Sequence, residues 1–319
     1  MVKAGTMYDT VKFKIEGATV GNPLTVARYL KDVEEHNSER RGHWISGKLS
    51  GNGGDYTVTA NSFGVFLNGS LAKYKLPSNA YTMTRRTTAE AVQELSDELH
   101  CDVGAAIVTR ADFSTVFPTK RPPSDYYNGL LSLAHYKRLL TNTDTLYFRQ
   151  NERTLVFYDK TKEAAAKGAK IPESLRGCNL LRYELRLLKH LQNRFRWDGA
   201  VTGAALSDER FYIQFMKMWE GEFYRIRKMN QNYNVMTNNI KTVVDGEKAF
   251  FSTLLQQMGQ ECVDRYLADL RAKQTYSDPK SYTRLKQRLY KLLQGAGAVD
   301  DDLIRELETA VKYCAAYQR

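Results

Sequence analysis

Three short stretches of the chain carry residue types that could break a phosphodiester bond. In "RTLVFYDKTKE" (Arg153–Glu163), an unbroken pleat sets Tyr158 and Lys160 on one side of a strand and Leu155 and Phe157 on the other. In "VTRADFS", Arg110 and Asp112 share a face. In "LLRYELRL", Arg182, Glu184 and Arg186 lie opposite Leu181, Tyr183, Leu185 and Leu187. If the apolar sides meet one core, the other face gathers two carboxylates, a tyrosine and several cations. Carboxylates such as Asp112 and Glu184 suit a hard ion, Mg²⁺ or Mn²⁺. A free tyrosine, with a pKa of ~10, is a poor nucleophile at neutral pH. Nearby cations or a metal favour its phenolate. Attack by a tyrosine conserves the bond energy as a phosphotyrosine, so the strand can later be rejoined. The same spacing also fits a packing tyrosine and solvated, ion-paired sheet faces, where a surface pair contributes little.

The elements that must position these residues alternate over the first part of the chain. "YDTVKFKIE" places Val11, Phe13 and Ile15 on one face and Lys12 and Lys14 on the other, which predicts a strand. "LTVARYLKDVEEHNSERR" reads as a helix with a charged end. Strands follow, joined by a turn at Asn52–Asp55. "TTAEAVQELSDELH" reads as a helix capped by Thr87 or Thr88. "GAAIVTRADFSTVF" is a strand and "SDYYNGLLSLAHYKRLL" a helix. "DTLYFRQ" and "RTLVFYDK" form a hairpin around Gln150–Asn151. Beyond about residue 200 the alternation gives way to long amphipathic helices. The last of these opens on Asp300, Asp301 and Asp302, where the helix dipole favours negative charge. The expected fold is α+β. A mixed or antiparallel sheet with helices spans residues 1–198, and an all-helical C-terminal region spans 199–319.

A net charge of +11 and a pI near 9.3 point to a polyanionic partner, nucleic acid first. No apolar run reaches membrane-spanning length, and the N-terminal stretch has no apolar signal region, so the expected place is the cytoplasm and no membrane partner is expected. The cysteines (Cys101, Cys178, Cys262, Cys314) are scattered without a Cys-x-x-Cys pair, which speaks against zinc. In "PKSYTRLKQRLYKLLQ", Leu285, Leu289, Leu292 and Leu293 make one stripe, and Lys280, Arg284, Arg288 and Lys291 follow another. The second stripe is either a DNA-binding face or a solvated one.

Taken in order, "NGSLAKYKLPSN", "VTRADFSTVF", "RTLVFYDKTKE" and "LLRYELRLLKHL" resemble the gene II proteins of filamentous phages and related phage and plasmid replication proteins, over residues 60–195. Ser70, Lys73 and Asn79 fit a Ser-x-x-Lys…Asn pattern. Ala111 stands where the related Arg-Ile-Asp motif has isoleucine. The initiators of small staphylococcal plasmids are a second affinity. The resemblance implies a rolling-circle initiator in a bacterial host cell. Such a protein nicks one strand of a supercoiled origin, stays joined to the 5′ end through a tyrosine, and later rejoins the displaced strand. Double-stranded origin and single strand are then its DNA partners, with host helicase and polymerase beside them.

By position in the motif the nucleophile is Tyr158, Lys160 flanks the phosphate, and Asp112 and Glu184 hold Mg²⁺ or Mn²⁺. Lys73, Arg110, Arg182, Arg186, Arg284, Arg288 and Lys291 are the expected DNA contacts. The chain departs from the two-histidine metal site of many relaxases, because it has no His-x-His pair. Pro77–Ser78 also replaces the glycine expected before Asn79. Tyr126–Tyr127 are the rival nucleophiles. A DNA-binding regulator without enzymatic activity is the alternative reading. An RNA-binding module is a third, hinted at only by the aromatic residues of "DTLYFRQ".

Overall fold

The structure is a computed structural model that describes residues 7–17, 21–39, 42–142, 144–228, 241–258, 260–294 and 302–317. Asp300 and Asp301 lie outside these residues; Asp302 begins the last helix. Contacts divide the chain into two compact units. One holds the chain up to Tyr127, Ser132–Ile226 and the chain from Glu308 on; the other holds Asn128–Leu131 and Arg227–Leu307.

The first unit is built on a ten-stranded antiparallel sheet. In chain order its strands are β1 (Met7–Glu16), β2 (Lys31–Ser38), β3 (Gly42–Leu49), β4 (Tyr56–Asn61), β5 (Gly64–Ser70) and β6 (Ile107–Thr119), then β8 (Lys137–Thr141), β9 (Thr145–Arg149), β10 (Arg153–Asp159) and β11 (Asn179–Leu187). Their order across the sheet is β2-β3-β4-β5-β1-β6-β11-β10-β9-β8. A short β7 (Leu130–Ser132) pairs instead with β12 (Arg227–Lys228). The helices of this unit are α1 (Leu71–Lys75), α2 (Arg85–Leu99), α3 (Pro123–Tyr127), α4 (Lys160–Lys167), α5 (Leu191–Phe195) and α6 (Glu209–Arg225).

One face of the sheet is aromatic and faces α6. Phe113 stacks on Phe215 at 4.9 Å, Tyr183 on Trp219 at 4.9 Å and Phe157 on Tyr183 at 4.6 Å. Rings of this size remove large apolar areas from water, each worth about 1.5–3 kcal/mol. Leu155 and Phe157 lie on this face as their alternation predicts, and both are fully buried. A β-bulge between Tyr8 and Val11 keeps both residues on the core side and frees Asp9 between them.

Several elements differ from expectation for local reasons. The charged stretch after Leu30 is not a helix. A 3₁₀ helix ends at Tyr29, and β2 pairs as an exposed edge strand with β3. Its charges suit an edge, where side chains stay in water and discourage further pairing. The stretch around Tyr126–Tyr127 is helical only over Pro123–Tyr127. Asn128–Gly129 ends the helix, and the remainder forms β7 and β8. On α2 the cap is Thr84, not Thr87 or Thr88. Thr84 accepts from the Thr87 backbone N–H, and the Thr87 hydroxyl accepts from the Thr84 backbone N–H. α6 lies beyond the expected boundary at 198, yet its aromatic side packs on the sheet of the first unit.

The second unit carries the helices α7 (Val243–Met258), α8 (Gln260–Ala272), α9 (Pro279–Gln294) and the first turn of α10 (Asp302–Tyr317). α7, α8 and α9 pack on one another. The leucines of α9 are half-buried, whereas Arg284, Arg288 and Lys291 are exposed.

Candidate active site on the polar sheet face

The face opposite α6 gathers the polar residues. Register fixes their rows. Tyr158 on β10 lies between Arg182 on β11 and Thr145 on β9. Glu184 lies beside Ser114 and Val156, and Arg186 beside Asp112 and Thr154. Asp112 and Glu184 therefore come from neighbouring strands, one pleat apart. Arg186 joins them: its Nε is 3.0 Å from Glu184 Oε1 and 3.9 Å from Asp112 Oδ2. Arg110 donates to both oxygens of Asp112, with Nε at 2.9 Å.

Asp112 is buried despite its charge. Burial pushes its carboxyl up to about 7, and the neighbouring Glu184 charge adds to the rise, while Arg110 and Arg186 pull it down. Two hard, desolvated carboxylates side by side are the donor set that Mg²⁺ or Mn²⁺ takes when phosphate and water complete its shell. As they stand both carboxylates are paired with arginines, Asp112 with Arg110 and Glu184 with Arg186, so an ion would have to displace these contacts. Among the described residues, no group of three or more His, Cys, Asp and Glu gathers as a metal cluster. His43, on β3, has its Nε2 3.5 Å from Glu35 Oε2.

Behind Tyr158 lies a buried network that ties the motifs together. Asp9 accepts from Ser70 Oγ, from Asn79 Nδ2 at 2.8 Å and from Arg182. Arg182 also donates to the Asn79 carbonyl at 2.6 Å and to Ser114 Oγ at 2.7 Å. Lys160 Nζ donates to Asn79 Oδ1 at 2.6 Å and to Glu163. Burial alone would raise the Asp9 carboxyl, but Arg182 and the Ser70 and Asn79 hydrogen bonds more than offset it and leave it lowered. Burial, with Arg182 nearby, lowers Lys160 to about 8.

These facts correct two expectations. Lys160 does not share the open face with Tyr158. Asp159 ends the strand and caps α4 by accepting from the Lys162 N–H at 2.9 Å, so the pleat stops before Lys160. The Lys160 side chain is fully buried. Arg182 is not a surface cation; it is fully buried, and its hydrogen bonds go to protein groups. Lys73 sits on α1, its backbone N–H capped by Ser70 Oγ and its stem beside Gly54. Arg110 and Arg186 remain half-exposed on the face.

Tyr158 stands at the rim of the network, partly exposed, with the Arg182 guanidinium 5.9 Å from its ring centre. Burial raises its hydroxyl well above the ordinary value; Arg182 opposes the rise, and Glu184, Asp9 and Glu163 add to it. The phenol is thus neutral in the free protein near neutral pH. The rival tyrosines are buried. Tyr127 donates its hydroxyl to the Asp144 carbonyl at 3.0 Å, and Tyr126 is enclosed in the core. Sequence reasoning missed Asp9 and Ser114. A single acid in an alternating strand gives no signal, and only the bulge in β1 turns Asp9 toward Arg182.

The model of one protein family, described as the N-terminal part of the phage replication-associated protein of the gene II type, matches residues 7–222, the stretch that holds the ten-stranded sheet and most of α6. No curated protein matches the chain.

Proposed function

The chain belongs to this family of phage replication-associated proteins, and from that premise we propose that it nicks one DNA strand at an origin through Tyr158 and later reseals it. The observation that carries this reading is the position of Tyr158. It is the partly exposed tyrosine beside the carboxylate pair and the arginines, on a strand anchored by Leu155 and Phe157.

In this reading Tyr158 Oη attacks the scissile phosphorus. The new bond is a 5′-phosphotyrosine, and the bond that breaks is P–O3′. The phenol proton leaves as the bond forms, and the departing 3′ oxygen takes one up. The phosphodiester energy is kept, so a 3′ hydroxyl can reverse the step. Arg110 and Arg186 face the non-bridging oxygens and offset their charge. Arg182, Asp9, Asn79 and Lys160 act from behind, holding the Tyr158 ring and the strand that carries it. Asp112 and Glu184 would hold Mg²⁺ or Mn²⁺, which would supply charge to polarise the phosphate. The free 3′ hydroxyl is a primer, so a host polymerase and a helicase are the partners the product calls for. The exposed cations of α9 are proposed to bind duplex origin DNA.

The test is incubation with supercoiled circles carrying the cognate origin and Mn²⁺, read on a denaturing gel. Wild type should leave protein covalently joined to a 5′ end. Tyr158→Phe removes only the hydroxyl and should bind DNA normally and form no adduct. Tyr127→Phe should still form one. An adduct that persists in Tyr158→Phe and vanishes in Tyr127→Phe would move the nucleophile to α3. Binding without any cut by wild type would favour the alternative, a replication regulator that grips DNA without cutting it.

A further inference from the structure

On the same face, one strand beyond Tyr158, Tyr147 has no counterpart in the chemistry above. Thr145 pairs with Tyr158 and Tyr147 with Val156, so Tyr147 points to the side of Tyr158, on the diagonal. Diagonal neighbours on one sheet face are roughly 7–8 Å apart. Tyr147 is half-exposed, and the Arg149 guanidinium lies over its ring at 4.3 Å. Leu139, opposite on β8 and 38% exposed, extends the apolar strip at its edge.

The charges beside this strip point to its occupant. Lys137 and Arg149 face each other directly across β8 and β9, both exposed. Like charges in that position destabilise a strand pair. Among the described residues neither pairs with a carboxylate. Arg186 continues the same row through Thr154. A flat ring beside uncompensated cations suits an unpaired base and its phosphates. A duplex keeps its bases stacked inside and cannot offer one.

We propose that Tyr147 is the stacking platform for an unpaired base of single-stranded DNA next to the scissile phosphate, with Arg149 and Lys137 on the flanking phosphate. The base takes the place that the Arg149 guanidinium holds over the ring, and the released guanidinium turns to the backbone. The inference deepens the reading of Tyr158 as nucleophile and rests on it for the identity of the bound nucleotide. Binding, however, needs no cleavage, so the two can fail separately.

The experiment uses the full chain carrying Tyr158→Phe, which binds but does not cut. A fluorescent oligothymidylate of about a dozen nucleotides and a mixed-sequence duplex of equal length are titrated by anisotropy. Stacking of one base on an aromatic ring is worth about 5- to 150-fold in affinity. Tyr147→Leu keeps an apolar side chain against Val156 and Leu139 but removes the π face. It should weaken single-strand binding by that factor and leave duplex binding unchanged. Tyr147→Trp keeps a π face and should hold or tighten single-strand binding. Unchanged oligothymidylate binding by Tyr147→Leu overturns the proposal, as does a parallel loss for the duplex or a loss in Tyr147→Trp.

Discussion

At the scale of single residues, the proposed reaction would divide the polar face into groups that meet substrate and groups that hold others. Asp112 and Glu184 would belong to the first kind. Burial raises the Asp112 carboxyl to about 7, so near pH 7 its neutral and charged forms are comparably populated. Asp112→Asn therefore resembles a form the free protein already populates, and Arg110, half-exposed, can turn to water. The variant should melt within a few degrees of wild type at pH 7, or above it, while adduct formation with Mg²⁺ falls by orders of magnitude. Glu184→Gln should lose cleavage likewise. Mn²⁺ should raise the melting temperature of wild type and leave that of the double variant unmoved, since an ion that binds only the native state stabilises it by mass action. An equal Mn²⁺ shift in both proteins would put the ion elsewhere. Lys160 and Arg182 belong to the second kind, and their motif positions alone did not reveal it. Spacing says that Lys160 follows Tyr158 by two; only the capping of α4 by Asp159 says that the pleat has already ended.

Among the elements, those with strong periodicity were legible and those decided by pairing were not. β10 and β11 follow the pleat read from their sequences, and their apolar sides face the core, with Leu155, Phe157, Tyr183 and Leu185 fully buried, whereas β1 and β6 pair with register shifts that interrupt the alternation. The carboxylates and Tyr158 share a face for the same reason. β2 and β8 were unreadable because their sequences are polar and gain their conformation from β3 and β9 rather than from propensity. The network behind Tyr158 was only partly legible: Ser70, Asn79 and Arg182 were marked by motif, but their convergence on Asp9 depends on a bulge. α9 shows the reverse case, a pattern legible in sequence whose role is still a proposal. Its half-buried leucines and exposed Arg284, Arg288 and Lys291 are separated as the helical period requires. If those cations meet phosphates, replacing all three with alanine should reduce the salt dependence of duplex binding by about one unit of slope for each lost contact. Single-strand binding should change less. A slope equal to that of wild type would leave α9 as a solvated face.

For the whole molecule, the buried ionisable groups set how stability responds to alkali. Burial raises the hydroxyls of Tyr8, Tyr56 and Tyr183 well above their ordinary value. A group raised in the fold releases its proton first in the unfolded chain. Above the unfolded value of ~10 the unfolded state binds fewer protons, so stability falls, by up to about 1.4 kcal/mol per pH unit for each such tyrosine. Lys160 has the opposite sign. It is lowered to about 8, so between pH 8 and its unfolded value of ~10.4 the folded state has released a proton that the unfolded state still holds. Stability gained from this group rises across that window. Denaturant titrations from pH 7 to 11 should therefore show wild type gaining on Lys160→Met between pH 8 and 10, and both proteins losing stability above pH 10. The three core tyrosines should ionise only together with global unfolding, in one cooperative step of tyrosinate absorbance above the gradual rise from exposed rings. If Tyr8 or Tyr183 ionises while the sheet remains folded, the aromatic layer between the sheet and α6 opens locally; if Tyr56 does, its packing against Phe13 and Tyr74 opens, and in either case the assignment of that ring to a closed core would fall.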